Sequence, residues 1–235
     1  MLEWPRRVAA LGQFHVDDLR APVLRESDHH HLTRVLRAKD GEEVVVTDGV
    51  GSWSICEVVG ETLVRMTPVH LDAPVAPTTL YLAPLKGEHS EWAVVKATEL
   101  GVSRIVPLGS RHVAVKFKGE ARDKIVTRWR RLATEASGQC RRTYDVIVDE
   151  PIDVADVDDD VAVADFDGDG DWSGVRSVAI GPEGGWASDE WSSSRRRLSL
   201  GPTVLRGDTA AVVAGALLAF GAGGWGFTLY GQAGR

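Results

Sequence analysis

The polar–apolar pattern changes character once along the chain, near residue 75. Before that point, apolar residues come in short runs of strand length: Glu43 to Thr47, Ser52 to Val59 and Thr62 to Thr67. Asp48-Gly49 between the first two signals a hairpin, because glycine supplies positive φ. The spacing of Leu32, Val35 and Leu36 predicts a short helix over Asp28–Arg37, with Arg34 and Arg37 off its apolar face. Several short strands within residues 1–73 predict a small β-barrel. The run Asp72-Ala73-Pro74-Val75-Ala76-Pro77 reads as a linker, since its prolines break any strand ladder.

Beyond the linker, strand-like and helix-like periods alternate over residues 77–235. Strands are predicted at Thr79–Ala83, Ser103–Leu108, Asp160–Phe166 and Ser177–Ile180. Glu88–Leu100 is a predicted helix with Trp92, Val95 and Leu100 facing inward and Gly101 closing it. A second helix over Arg122–Ser137 sets Ile125, Trp129, Leu132, Ala133 and Ala136 on one side and Lys124, Arg128 and Arg131 on the other. Ser188–Arg197 is a predicted helix capped by Ser188, and Asp208–Phe220 one built of small apolar residues. Such alternation predicts an α/β domain with a mostly parallel sheet covered by helices on both faces.

Composition narrows the possibilities. With 43% hydrophobic and 26% charged residues, the 235-residue chain is globular rather than disordered. The two cysteines, Cys56 and Cys140, form no CxxC pair, which argues against a disulfide framework or cysteine-bound zinc and points to a cytoplasmic home. No signal peptide is evident, and the longest apolar stretch, Thr209 to Phe220, is too short to span a bilayer, so no membrane partner is expected. The net charge of −7 is unevenly spread: residues 76–144 carry 13 basic and 6 acidic side chains, residues 145–194 carry 1 and 15. A basic central block can attract phosphate locally in an acidic protein, although the same charges also suit a solvated surface.

Metal sites are not expected. Asp165-x-Asp167-x-Asp169-Gly170 matches half of a calcium loop, but Arg176 stands where the closing glutamate belongs and a strand leads in. His29, His30 and His31 are consecutive, so on a helix they point in different directions.

The most informative segments are two glycine-bearing loops. Gly181-Pro182-Glu183-Gly184-Gly185 follows an apolar strand, and Leu200-Gly201-Pro202-Thr203-Val204-Leu205-Arg206-Gly207-Asp208 precedes the last helix. Ligands of parallel α/β sheets bind at the carboxyl ends of strands, where such loops emerge. Composition alone leaves open an ordinary turn in either place.

Together with Leu85-Lys86-Gly87, Lys96-Ala97-Thr98-Glu99-Leu100-Gly101-Val102, Arg128-Trp129-Arg130-Arg131, Arg141-Arg142 and His30-His31-Leu32 with Val35-Leu36-Arg37, these loops resemble a known family. The pattern is similar to the RsmE family of SPOUT-class (knotted) methyltransferases, which methylate N3 of a uridine in small-subunit (16S) ribosomal RNA. The chain departs from it in having Gly207-Asp208 where Thr-Glu is usual, and in a blurred N-terminal motif at Gln13-Phe14-His15-Val16. The resemblance implies a PUA-like barrel at 1–73 for RNA docking and a SPOUT-type catalytic domain at 77–235. It also implies a trefoil knot over about 177–220, S-adenosyl-L-methionine (SAM) as cofactor, and a homodimer.

Carried onto this sequence, the cofactor residues are Gly181, Pro182, Glu183, Gly184, Leu200, Gly201, Val204 and Leu205. Chemistry supplies candidate roles for neighbours. An arginine beside O2 or O4 would stabilise a developing uridine anion, and a carboxylate could take the N3 proton. Arg206 is the expected electrophile, with Glu183 and Asp208 as proton acceptors; the alternative for both acids is purely structural hydrogen bonding. Arg34, Arg37, Lys86, Arg128, Arg131, Arg141 and Arg142 are the expected RNA contacts. A knotted methyltransferase acting on another RNA, such as a transfer RNA, and a non-catalytic ribosome-assembly factor are the rival readings.

Overall fold

The computed structural model describes residues 3–74, 76–113, 117 and 119–221. Val75 in the expected linker and residues 222–235 at the end of the expected catalytic domain lie outside them. By contact the chain forms two units: Met1–Pro74 with Thr134–Asp145, and Val75–Ala133 with Val146–Arg235. The first unit therefore takes in a second stretch of chain that a division into two contiguous ranges does not contain.

In the first unit, helix α1 (Glu3–Ala9) leads into β1 (Gln13–His15), which pairs in parallel with β2 (Glu43–Thr47). Antiparallel β3 (Ser52–Val59) follows, flanked by β4 (Thr62–Arg65) and β5 (His70–Leu71). Both faces of β2 and β3 are buried, which explains their near-continuous apolar runs. Val44, Val46, Cys56 and Val58 pack with Phe14 and Leu32, whereas Val45 and Ile55 pack with Ala10 and Trp53. The expected helix over Asp28–Arg37 is split. Glu26–His30 (α2) is α-helical, and His31–Val35 continues as a π-helical turn in which Leu36 N–H reaches the His31 carbonyl at 2.9 Å. The third expected strand stops at Arg65 rather than Thr67, because Thr67 turns inward to accept the Ile55 N–H at 3.0 Å.

Residues 134–145 are bonded to the rest of this unit over long sequence separations. Arg7, 3% exposed, lies between the rings of Trp4 and Trp53, 5.0 and 4.7 Å from their centroids. It donates to Asp72 at 2.8 Å and to the Arg141 carbonyl. Asp72 also accepts from Trp53 Nε1 at 2.9 Å and from Thr143 Oγ1 at 2.7 Å. The Asp72 residue expected in a bare linker is thus the centre of a hydrogen-bond hub. His15 Nε2 meets Asp145 at 2.8 Å, and that bond raises the imidazole pKa above its ordinary value despite burial.

The second unit is a seven-stranded sheet in which all pairs are parallel. Its strands are β6 (Thr79–Leu82), β7 (Arg104–Gly109), β8 (Ile147–Val148), β9 (Ile152–Asp153), β10 (Ala162–Asp169), β11 (Ser177–Ile180) and β12 (Arg197–Leu198). The order is β12-β10-β11-β6-β7-β8, with β9 pairing farther along β7. Helices α3 (His89–Glu99), α4 (Gly119–Gln139) and α5 (Gly207–Gly221) accompany it. Leu80, Leu82, Ile105, Trp129, Val178 and Leu198 share one core with Ala211, Ala214 and Leu218 of α5.

Two expectations fail here. Trp92 is 46% exposed; the buried face of α3 is Ser90, Ala93, Val94 and Ala97, small enough to let α5 approach closely. A Cβ on Gly215 of α5 would already touch Val102 at 3.4 Å. Ser188–Arg197 is a series of turns rather than a helix. Glu190 spends its carboxylate on the N–H groups of Ala187 and Arg111, both at 2.9 Å or less, and Ser192 Oγ accepts the Ser194 N–H at 3.3 Å. Such local side-chain bonds offer the backbone an alternative to the helix. Trp191 is then buried edge-on against Trp186, ring centroids 5.1 Å apart.

Candidate functional site

The chain leaves β11 on one side of β10 and returns as β12 on the other, so the loops after β11 and β12 flank the carboxyl end of β10. That is where open α/β sheets form ligand crevices. A cavity of about 730 Å³ occupies this place, within the usual range for small-molecule sites. Its walls come from three segments: Ala164 to Phe166 of β10, Ile180 to Ser188 after β11, and Arg197 to Ala210 after β12.

The local geometry depends on close backbone approaches. A Cβ on Gly168 would lie 2.4 Å from the Leu198 backbone, so only glycine lets β10 bulge across β12 there. Arg197 pairs with Asp165 across the same two strands. Gly201 has φ +133° and Gly185 φ +69°, backbone conformations that L residues rarely adopt. Trp186 donates from Nε1 to the Ala164 carbonyl at 3.2 Å and packs under Gly181, where a Cβ would meet the ring at 2.9 Å. Trp172 Nε1 holds the Ser199 carbonyl at 3.1 Å. His112 Nδ1 is 3.2 Å from the carbonyl oxygens of Gly184 and Gly185, bracing the first loop from outside.

Seven of the eight expected cofactor residues line this cavity: Gly181, Pro182, Glu183, Leu200, Gly201, Val204 and Leu205. Gly184 instead faces His112, which a Cβ there would approach to 3.0 Å. Arg206 lines the cavity, is exposed, and has no ion-pair or hydrogen-bond partner for its guanidinium among the described residues. Glu183 also lines it, with Oε1 accepting the Lys86 N–H at 2.8 Å. Asp208 sits just behind, its Oδ2 2.6 Å from Nδ1 of His89 and its Oδ1 accepting the Thr209 N–H at 2.8 Å. Burial alone would push that carboxyl up, but the bonds from His89 and Thr209 hold it below the ordinary carboxylate value. The sequence reading missed Asp165, Phe166, Trp186, Arg197 and His89. Trp186 directly follows the glycine loop and could have been included; His89 lies 119 residues from its partner and carried no local signal.

The expected RNA contacts separate into two kinds. Arg34 and Arg37 are exposed on the first unit, and Lys86 is exposed on the second. On α4, Lys124 reaches Glu120 at 3.3 Å and Arg128 reaches Glu91 of α3 at 2.7 Å, both at the surface; Arg131 is exposed on the same helix. Arg141 and Arg142 turn inward instead. Arg141, at φ +62°, donates to the carbonyls of Gly138 and Ala10 at 3.0 and 2.7 Å, and Arg142 Nε to that of Tyr144 at 3.0 Å. The Arg141 bond to Ala10 ties residues 134–145 to the rest of the first unit, whereas the Arg142 bond to Tyr144 stays within that segment.

Comparison with known proteins adds independent findings. A family model described as an RNA methyltransferase domain matches residues 72–219, and one described as an RNA methyltransferase PUA domain matches residues 24–63. The chain is 31% identical to "Ribosomal RNA small subunit methyltransferase E" of Mycobacterium bovis, over 86% of this chain and 88% of that protein. The protein of that name from Aquifex aeolicus is 28% identical, over 81% and 90%. Among solved structures, a Legionella pneumophila methyltransferase in complex with SAM superimposes with TM-score 0.76 at 25% identity, covering 88% of this chain and 96% of that one. Ribosomal RNA small subunit methyltransferase E from Neisseria gonorrhoeae, bound to SAM, gives TM-score 0.76 at 21% identity, over 89% and 97%, a likeness of fold.

Proposed function

This chain belongs to the RNA methyltransferase family that includes ribosomal RNA small subunit methyltransferase E, and we propose that it methylates N3 of a uridine in small-subunit ribosomal RNA with SAM as the methyl donor. The observation that carries the reading is the 730 Å³ cavity at the carboxyl ends of β10, β11 and β12. Its residues fit SAM. Ile180, Leu200, Leu205 and Trp186 offer apolar contact to a purine, and the bends at Gly185 and Gly201 present main-chain donors and acceptors. Bound SAM supplies a methyl group on a cationic sulfur, which keeps the bonding pair and leaves as a neutral thioether.

The chain's own residues then position and stabilise. Arg206, unpaired among the described residues and on the cavity wall, holds its guanidinium where charge develops on a uracil carbonyl oxygen. Glu183, fixed by the Lys86 N–H, braces the loop against the start of α3. Val204 and Phe166, 86% and 62% exposed, form an apolar rim of the kind a second subunit covers. We therefore include a homodimer in the proposal, together with trefoil threading over residues 177–220 and rRNA docking through the PUA domain. The test is transfer of label from SAM to small subunits lacking the modification, with purified protein. Label recovered in RNA supports the reading, and SAM binding without any transfer would leave only a cofactor-binding protein.

A further inference from the structure

The proton on a methyl-accepting uracil nitrogen has to leave, and the two expected carboxylates are poorly free to take it. Both oxygens of Asp208 are engaged, one by His89 at 2.6 Å and one by the Thr209 N–H at 2.8 Å. Oε1 of Glu183 is held by the Lys86 N–H at 2.8 Å. The segments concerned touch directly: a Cβ on Gly207 would fall 2.5 Å from Cδ2 of Leu85. Glu183, Arg206 and Gly207 line the cavity, and residues 85–89 pack against them through the Leu85–Gly207 approach and the Lys86–Glu183 bond. His89 adjoins this wall through Asp208, with its side chain 48% exposed. Its Nδ1 faces Asp208, and among the described residues its Nε2 has no partner.

We propose, resting on the uridine reading above, that Nε2 of His89 accepts the N3 proton and that Asp208 is a positioning residue. Asp208 takes the hydrogen bond from Nδ1–H, which fixes the tautomer that leaves a lone pair on Nε2. The N3–H bond breaks, its electron pair stays on N3 to form the new bond to carbon, and the proton moves to Nε2. The resulting imidazolium is paired with the Asp208 carboxylate and later releases its proton to water. An imidazole is a better base for this step than a carboxylate, because ordinary values near 6.5 and near 4 differ by about 300-fold in proton affinity. The other ionisable groups on the three segments are Lys86, Glu88, Glu183 and Arg206, so Arg206 offsets the oxygen charge while His89 removes the proton.

The experiment compares single-turnover methylation by the parent, His89→Ala and His89→Asn, at saturating enzyme and SAM. Asparagine keeps a donor toward Asp208 but cannot take a proton. Both variants are expected to slow methylation by about 10²- to 10³-fold, with SAM and RNA affinities unchanged and added imidazole partly restoring His89→Ala. In the free protein, ¹⁵N shifts of the His89 ring should report Nδ1 protonated and Nε2 bare, a preference lost in Asp208→Ala. Parental rates in either variant overturn the assignment, and so does recovery in His89→Asn alone, which would make the ring a mere brace. If instead the parent places its methyl on an atom other than N3, the uridine reading fails by the product, independently of the variants' rates.

Discussion

Replacing Asp72 by alanine removes the acceptor for three donors at once: Arg7 Nη1 at 2.8 Å, Trp53 Nε1 at 2.9 Å and Thr143 Oγ1 at 2.7 Å. Breaking a buried ion pair costs about 3–5 kcal/mol because one charge stays uncompensated, whereas an exposed pair is worth about 0.2–1 kcal/mol. This pair is intermediate, with Arg7 3% and Asp72 36% exposed. Arg7 also keeps its bond to the Arg141 carbonyl and its two tryptophan faces. The expected loss is therefore about 2–3 kcal/mol, or roughly 4–12 °C in Tm. Asp72→Asn, which keeps an acceptor but loses the charge, should cost about half as much. Acid dependence supplies a second reading. Burial alone would raise the Asp72 carboxyl, but the bonds from Thr143, Arg7 and Trp53 hold it below its ordinary value. Its contribution is thus present above the ordinary carboxylate range and lost as pH falls through the depressed value, a slope Asp72→Asn should flatten. Urea unfolding followed by tryptophan fluorescence, repeated from pH 7 to pH 3, measures both. A loss under about 0.5 kcal/mol, the range of an ordinary surface change, would mean that Asp72 is only linker.

Three further outcomes are expected. Arg206→Ala should lower single-turnover kcat by about 10²- to 10³-fold with small changes in SAM and RNA affinity, and Arg206→Lys should recover little of it. Gly201→Val forces a β-branched residue to φ +133°; strain of about 1–3 kcal/mol should weaken SAM binding in calorimetry by roughly 5- to 150-fold while the sheet stays folded. Arg128→Ala should lower the salt slope of RNA binding by about 1, whereas Arg141→Ala, which loses bonds to two carbonyls, should cost about 1.5–3 kcal/mol of stability and leave that slope unchanged.

What was legible in the sequence was local. Ser177–Ile180 and its glycine loop are set by an apolar run and by residues whose backbone freedom can be read in place, and the walls of the cavity follow them closely. Most of what the local pattern did not show depends on distant partners, and one stretch on close ones. Asp72 looked like linker because prolines surround it, while its partners sit 65 residues before and 71 after it. Arg141 and Arg142 looked like a phosphate contact because charge reads as surface, while carbonyls as far away as Ala10 draw Arg141 inward. Trp92 was expected inward on the helix with Val95 and Leu100, yet the close packing of α3 on α5 selects small residues. Ser188–Arg197 offered a capping serine with acids in the first turn, but its serines and Glu190 satisfy the backbone in turns.

The central claim is tested most directly by the product itself. Small-subunit RNA from a strain lacking this protein, incubated with the purified protein and SAM, is digested and its nucleosides resolved by mass spectrometry beside RNA from the parent strain. The account predicts that one N3-methyluridine, absent from the deletion RNA, appears after incubation and is not formed by Arg206→Ala on the same timescale. A methyl group on another base or another atom, or no new methylated nucleoside, would contradict it.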